Sequence, residues 1–148
     1  SLPQAPSRYC APALFFPELD ADTPEKILQL LGQRLQELGL ADDAFQGAVL
    51  ERERISPTAF EPGIALPHAL RVPAGRTAVA AARLKRPVWW GDQKVQLVIL
   101  PALSAGDLPA IGRFLALGPL FQHDRRLFDQ LLAAQDFPAF FALLDRIF

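Results

Sequence analysis

The 148-residue sequence predicts an α/β domain, and three observations carry that prediction. An apolar stripe at helical spacing runs through Ile27, Leu28, Leu30, Leu31, Leu35 and Leu38. Two β-prone runs, at 77–84 and 95–100, occupy the middle of the chain. Beyond residue 107 the apolar residues return to helical spacing. The residues themselves support three or four strands, placed between a helix pair and a helical C-terminal half.

Taken in order, residues 1–11 read as a Pro-rich, loosely tethered lead-in, and 12–148 as one domain. Residues 13–16 form a first short strand. Thr23 suits an N-cap and Pro24 the first position of the helix that follows. Asp42 or Asp43 caps a second helix running to about Arg54, with Phe45, Val49 and Leu50 inward and Arg52 in the last turn. Ile64 to Leu66 is a short strand that Pro67 ends, because proline offers no ladder donor. The runs at 77–84 and 95–100 are the clearest strands. Trp89 to Gln93 connects them, with Gly91-Asp92 as turn material. Helices are expected at about 107–121, 124–134 and 137–147, capped by Asp107, Asp124 and Asp136, with a break at Gly118-Pro119.

Composition narrows the function. Hydrophobic residues make up 51% of the chain, yet no run approaches a membrane span. A net charge of −1 gives no electrostatic case for nucleic-acid binding. Cys10 is the single cysteine, so neither an internal disulfide nor a cysteine metal site is expected. The two histidines, His68 and His123, make no recognisable ligand set; no metal and no cofactor are expected, and His123 reads as a surface residue. The N-terminus lacks the features of a signal peptide, which makes a cytoplasmic compartment the expectation. The chain has no Met, even at position 1, as in a domain cut from a longer protein or a processed tag.

The segment Ser56-Pro57-Thr58-Ala59-Phe60-Glu61-Pro62-Gly63-Ile64-Ala65-Leu66-Pro67-His68-Ala69 is the most informative. It sets an imidazole at the end of a strand on a stiff backbone, where a nucleophile or ligand is usefully held. With Arg52-Glu53 ahead of it, the segment resembles the active-site stretch of the enzyme IIA domains of the bacterial sugar phosphotransferase system, fructose–mannitol class. The resemblance covers about Phe15 to the C-terminus. It implies a small mixed sheet of about five strands flanked by helices, with His68 as phosphoryl acceptor. Histidine suits that task because an unperturbed pKa of ~6.5 leaves a neutral ring nitrogen available at cellular pH. Donors must then surround the phosphoryl oxygens. The resemblance assigns this to the Arg52 guanidinium, the Thr58 hydroxyl and close backbone approach at Gly63.

Two departures from the transport-type pattern stand out. Glu61-Pro62-Gly63 replaces the usual Gly-Asn-Gly, and Asp107-Leu108 stands where a second histidine begins a His-Leu pair. A carboxylate at ~5 Å from a phosphoryl group, at an effective dielectric of ~20, repels each unit charge by ~3 kcal/mol. Asp107 would instead help by binding the other ring nitrogen of His68, or act simply as a helix N-cap. The departures, with the wording of 56–60 and 90–98, resemble most the IIA-like domains of transcriptional regulators and antiterminators that contain PTS-regulation domains, of the BglG and mannitol-regulator type. Three functions follow as expectations. The first is a regulatory sensor phosphorylated by HPr or a IIB domain and acting on other domains of a regulator. The second is a transport-type IIA phosphotransferase, and the third a non-catalytic interaction module. Phe60, Leu66 and Leu70 are the expected docking patch for HPr or IIB.

Overall fold

The computed structural model describes residues 2–148 and forms a five-stranded sheet with helices on both faces. Strands β1 (Phe15–Leu19), β2 (Ala59–Phe60), β3 (Ile64–Ala65), β4 (Ala78–Trp90) and β5 (Gln93–Ala102) lie in the order β1-β4-β5-β3-β2. The β1/β4 and β3/β5 pairs are parallel, while β4/β5 and β2/β3 are antiparallel. The mixed α/β class and the five strands agree with expectation.

Two helices cover one face: α1 (Pro24–Glu37) and α2 (Asp43–Ile55). The Thr23 hydroxyl accepts from Lys26 N and the Asp42 carboxylate from Phe45 N, so both N-caps are made. Ile27, Leu28, Leu31, Leu35, Phe45 and Val49 pack there against Ala65, Ala80, Ala82, Val98 and Leu100. Leu38, the last residue of the sequence stripe, is instead the C-cap and stays exposed. The opposite face holds α3 (Ile111–Leu115), α4 (Leu117–His123), α5 (Arg125–Ala133) and α6 (Phe137–Asp145). Phe114, Phe121, Phe128, Phe140 and Phe141 fill that side against Ile64, Leu66, Val79, Ala81, Leu97 and Ile99. Alternate strand residues therefore feed alternate cores, the period-2 geometry of a sheet buried on both faces.

The central hairpin and the first helical stretch after it differ from the sequence reading. The central hairpin is longer: Trp90 pairs with Gln93 and Trp89 with Lys94, which leaves a two-residue turn at Gly91-Asp92. Gly91 adopts φ +64, the left-handed conformation such a turn needs at its first central position. The expected helix 107–121 is divided into a 3-10 turn (Ala105–Ala110), α3 and α4. The break falls at Ala116 rather than at Gly118-Pro119. Pro119 sits in the first turn of α4, where no amide donor is needed, and its ring bars continuation from Leu115, where α3 ends.

The lead-in carries a 3-10 turn, Pro6–Tyr9, and Ser7 donates to Asp145 of α6 from its amide (2.9 Å) and its hydroxyl (2.5 Å). Ser1, the first residue of that segment, lies outside the described residues. Burial pushes the Cys10 thiol up to about 12, which keeps it protonated at neutral pH. No helix among the described residues is long and apolar enough to cross a membrane, and no group of three metal-ligating side chains occurs among them.

Candidate functional site

His68 lies just beyond the C-terminal end of β3, which runs parallel to β5 in the register Ile64↔Leu97, Ala65↔Val98. The residue is 3% exposed. Its Nδ1 is 3.0 Å from the carbonyl oxygen of Leu66. A carbonyl only accepts, so Nδ1 carries a proton, and in the neutral ring Nε2 is the nitrogen with the lone pair. Among the described residues no group bonds Nε2, and no buried side-chain nitrogen or oxygen lacks a partner. The nitrogen with the lone pair is therefore the one that reaches solvent. In its neutral form such a ring is a nucleophile whose free nitrogen is directed outward.

The residues that hold His68 come from α2 and the β2/β3 hairpin. Leu66 N donates to the Thr58 carbonyl (3.0 Å), just beyond the pairs Ala59↔Ala65 and Phe60↔Ile64. Thr58 is itself 3% exposed and gives both its donors to Glu53, the amide at 2.6 Å and the hydroxyl at 2.7 Å. Glu53 also accepts from the indole of the buried Trp90 at 3.0 Å. The sequence reading quoted Glu53 only as the partner of Arg52 in a motif. The available signal was a carboxylate in the last helical turn, five residues before a threonine that opens a strand.

The other expected site residues are brought to this region unequally. Arg52, in the last turn of α2, donates to the Ser56 carbonyl at 2.9 Å and so ties down the start of the loop. Thr58 is beside the site, but its hydroxyl proton is directed at Glu53, away from any phosphoryl group. Gly63 is at the other end of β3 from His68. Its φ is +141, and a Cβ there would stand 2.8 Å from the Lys94 carbonyl oxygen, so glycine is needed for contact with β5 rather than with the imidazole.

Asp107 lies inside the 3-10 turn whose N-cap is Ser104, which corrects the N-cap expectation. Its carboxylate accepts from the Thr77 hydroxyl (2.5 Å) and the Ser104 hydroxyl (3.3 Å). The tautomer-fixing partner of His68 is thus a carbonyl and not Asp107. Ala78 pairs with Ala102, so Thr77, Ser104 and Asp107 gather at the end of the sheet to which β3 delivers His68. Of the expected docking patch, Leu70 is exposed and Phe60 half-buried, whereas Leu66 is 1% exposed and belongs to the core. His123 is exposed, as expected.

A family model for the phosphoenolpyruvate-dependent sugar phosphotransferase system, EIIA 2, matches residues 8–147. The chain belongs to this family. Among curated proteins, the IIA-like domain is 38% identical over 94 residues to the probable licABCH operon regulator of Bacillus subtilis, and 35% identical over 96 residues to the transcriptional regulator ManR of the same organism. These matches cover 64% and 65% of the domain but only 15% of each regulator. A third relative, the 2-O-alpha-mannosyl-D-glycerate-specific EIIABC component of Escherichia coli, is 35% identical over 89 residues, 56% of the domain and 14% of that protein.

Solved structures share the fold. The mannitol IIA of Escherichia coli in complex with phosphorylated IIB superposes with a TM-score of 0.75 at 20% identity, over 90% of this chain and 95% of that one. The nitrogen regulatory protein IIA-Ntr of Neisseria meningitidis gives 0.79 at 17% identity, over 93% and 97%.

Proposed function

We propose that the domain takes up a phosphoryl group on Nε2 of His68 and serves as the phosphate-responsive module of a sugar-operon regulator. The observation that carries this reading is the state of the imidazole: buried, its Nδ1 proton given to Leu66, its Nε2 lone pair facing solvent. The donor is a phosphorylated side chain of HPr or of a IIB domain. The Nε2 lone pair attacks phosphorus, the donor's own bond to phosphorus breaks, and the electron pair of that bond returns to the donor atom. Arg52, which now donates to the Ser56 carbonyl, is the residue assigned to turn its planar fork onto the phosphoryl oxygens. The regulatory role rests on the two regulator relatives; a phosphate adding ~1.5–2 negative charges would change how the domain packs on its neighbours. The EIIABC relative and the IIA–IIB complex support the transport alternative, in which phosphate passes on to a IIB domain.

Incubation with enzyme I, HPr and phosphoenolpyruvate, with and without a IIB domain, tests the reading. The expected result is acid-labile phosphate on the wild type, none on His68→Ala, and uptake slowed about 10- to 100-fold in Arg52→Ala. Absence of incorporation from either donor would overturn it, and rapid onward transfer to IIB would replace the regulatory role with the transport one.

A further inference from the structure

Glu53 is bonded as an anchor rather than as a surface charge. Its two oxygens accept from three donors on two other elements: the Thr58 amide, the Thr58 hydroxyl and the Trp90 indole. We infer that Glu53 is the positioning residue that sets which ring nitrogen of His68 bears the proton, an inference resting on the reading of His68 as phosphoryl acceptor. The connection is continuous. Glu53 holds Thr58, the Thr58 carbonyl holds the Leu66 amide, and the Leu66 carbonyl holds the His68 Nδ1 proton.

The chain of bonds matters because the hairpin it secures is short. Strand β2 is an edge strand, and its ladder with β3 consists of the pairs Ala59↔Ala65 and Phe60↔Ile64. A ladder that short is marginal without further support and opens first at its ends. The end nearest His68 is the one Glu53 closes. If Thr58 were released, Leu66 would lose the partner of its amide, and the carbonyl of Leu66 would lose its fixed direction. The imidazole would then drift toward the Nε2–H tautomer that free histidine prefers, which has no lone pair on the outward nitrogen.

The bonding pattern also separates geometry from charge. A glutamine can satisfy all three contacts: its oxygen accepts from the Thr58 amide and the Trp90 indole, and its NH2 donates to the Thr58 hydroxyl, which can accept. An aspartate keeps the charge but is one methylene shorter, so it cannot reach Thr58 and Trp90 together.

Ring-nitrogen NMR of the 15N-histidine-labelled chain reads this directly and does not depend on phosphorylation. Wild type and Glu53→Gln are expected to show the Nδ1–H tautomer of His68, while Glu53→Asp and Glu53→Ala shift toward Nε2–H. Initial rates of phosphoryl uptake from phosphorylated HPr should fall about 10- to 100-fold in the Asp and Ala variants and less than about threefold in Gln. Unchanged nitrogen signals in Glu53→Asp, or a Gln variant as impaired as Asp, would overturn the inference; Glu53→Asp carries the test if Glu53→Ala does not fold. A wild type with the Nδ1–H tautomer that takes up no phosphate would remove the acceptor reading and leave the assignment of Glu53 to the NMR result.

Discussion

Asp107 shows at the scale of one residue how a substituted position changes role. Its carboxylate accepts hydroxyl protons from Thr77 and Ser104, which tie the start of β4 to the turn after β5. It nevertheless sets a carboxylate at the end of the sheet where a phosphoryl group on His68 would arrive. Two unit charges ~10 Å apart, at effective dielectrics between ~20 and ~80, repel by ~0.4–2 kcal/mol. Asp107→Asn, which keeps an acceptor for Thr77, is therefore expected to raise the equilibrium constant for uptake about two- to thirtyfold against a limiting, reversible donor. The measurement is the equilibrium distribution of label between HPr and the domain. A fall in that constant would show that the carboxylate assists transfer. The sequence placed Asp107 at this end of the fold, but not its bonding. Thr77 is thirty positions away, and nothing local to Asp107 announces that partner.

At the scale of elements, the hairpin that carries His68 depends on its approach to β5. Gly63 accepts from Gln96 N at 2.8 Å and from Leu97 N at 3.2 Å, so its backbone is pressed onto the neighbouring strand. Gly63→Ala would combine a φ of +141 with a Cβ 2.8 Å from the Lys94 carbonyl. The expected cost is more than about 2 kcal/mol, seen as a lower urea midpoint, with weaker amide protection at Ile64 and Ala65. Unaltered protection there would mean that the β3/β5 contact does not need glycine.

The helices α1, α2, α5 and α6 were legible because caps and periodic leucines or phenylalanines coincide in them. The far half of β4 was not, since Lys85-Arg86-Pro87 reads as loop. Pro87 lies in the irregular stretch between the pairs Arg83↔Leu97 and Val88↔Val95, where the ladder is interrupted and a missing donor is harmless. A local reading penalises that proline without knowing that the register shifts there. The 3-10 turn before α3 escaped for a related reason: Asp107-Leu108-Pro109 carries a cap-like residue, but the start is set by Ser104.

Across the whole molecule, the interior strand β4 explains how two helical layers fit. Ala78, Ala80, Ala81 and Ala82 of β4 are all buried, and small residues there let helices approach closely on both faces. Large residues on the helices supply the volume: leucines and isoleucine from α1 on one side, phenylalanines from α3 to α6 on the other. Sequence reading found the β-prone run but could not see that its alanines divide between two cores, because alanine has no strong preference for strand or face.

The division makes a prediction for the molecule as a unit. Ala80→Leu pushes into α1 and α2, and Ala81→Leu into the phenylalanine layer; each is expected to cost about 1–3 kcal/mol through overpacking. Because the two side chains enter different cores on opposite faces, their effects should add to within about 0.5 kcal/mol in the double variant. Urea unfolding of the four proteins closes the cycle. A coupling well above that bound would mean that the sheet bends as one body under either insertion. A conformational signal from the His68 edge could then cross from one helical layer to the other, whereas additivity would confine it to the face on which it arises.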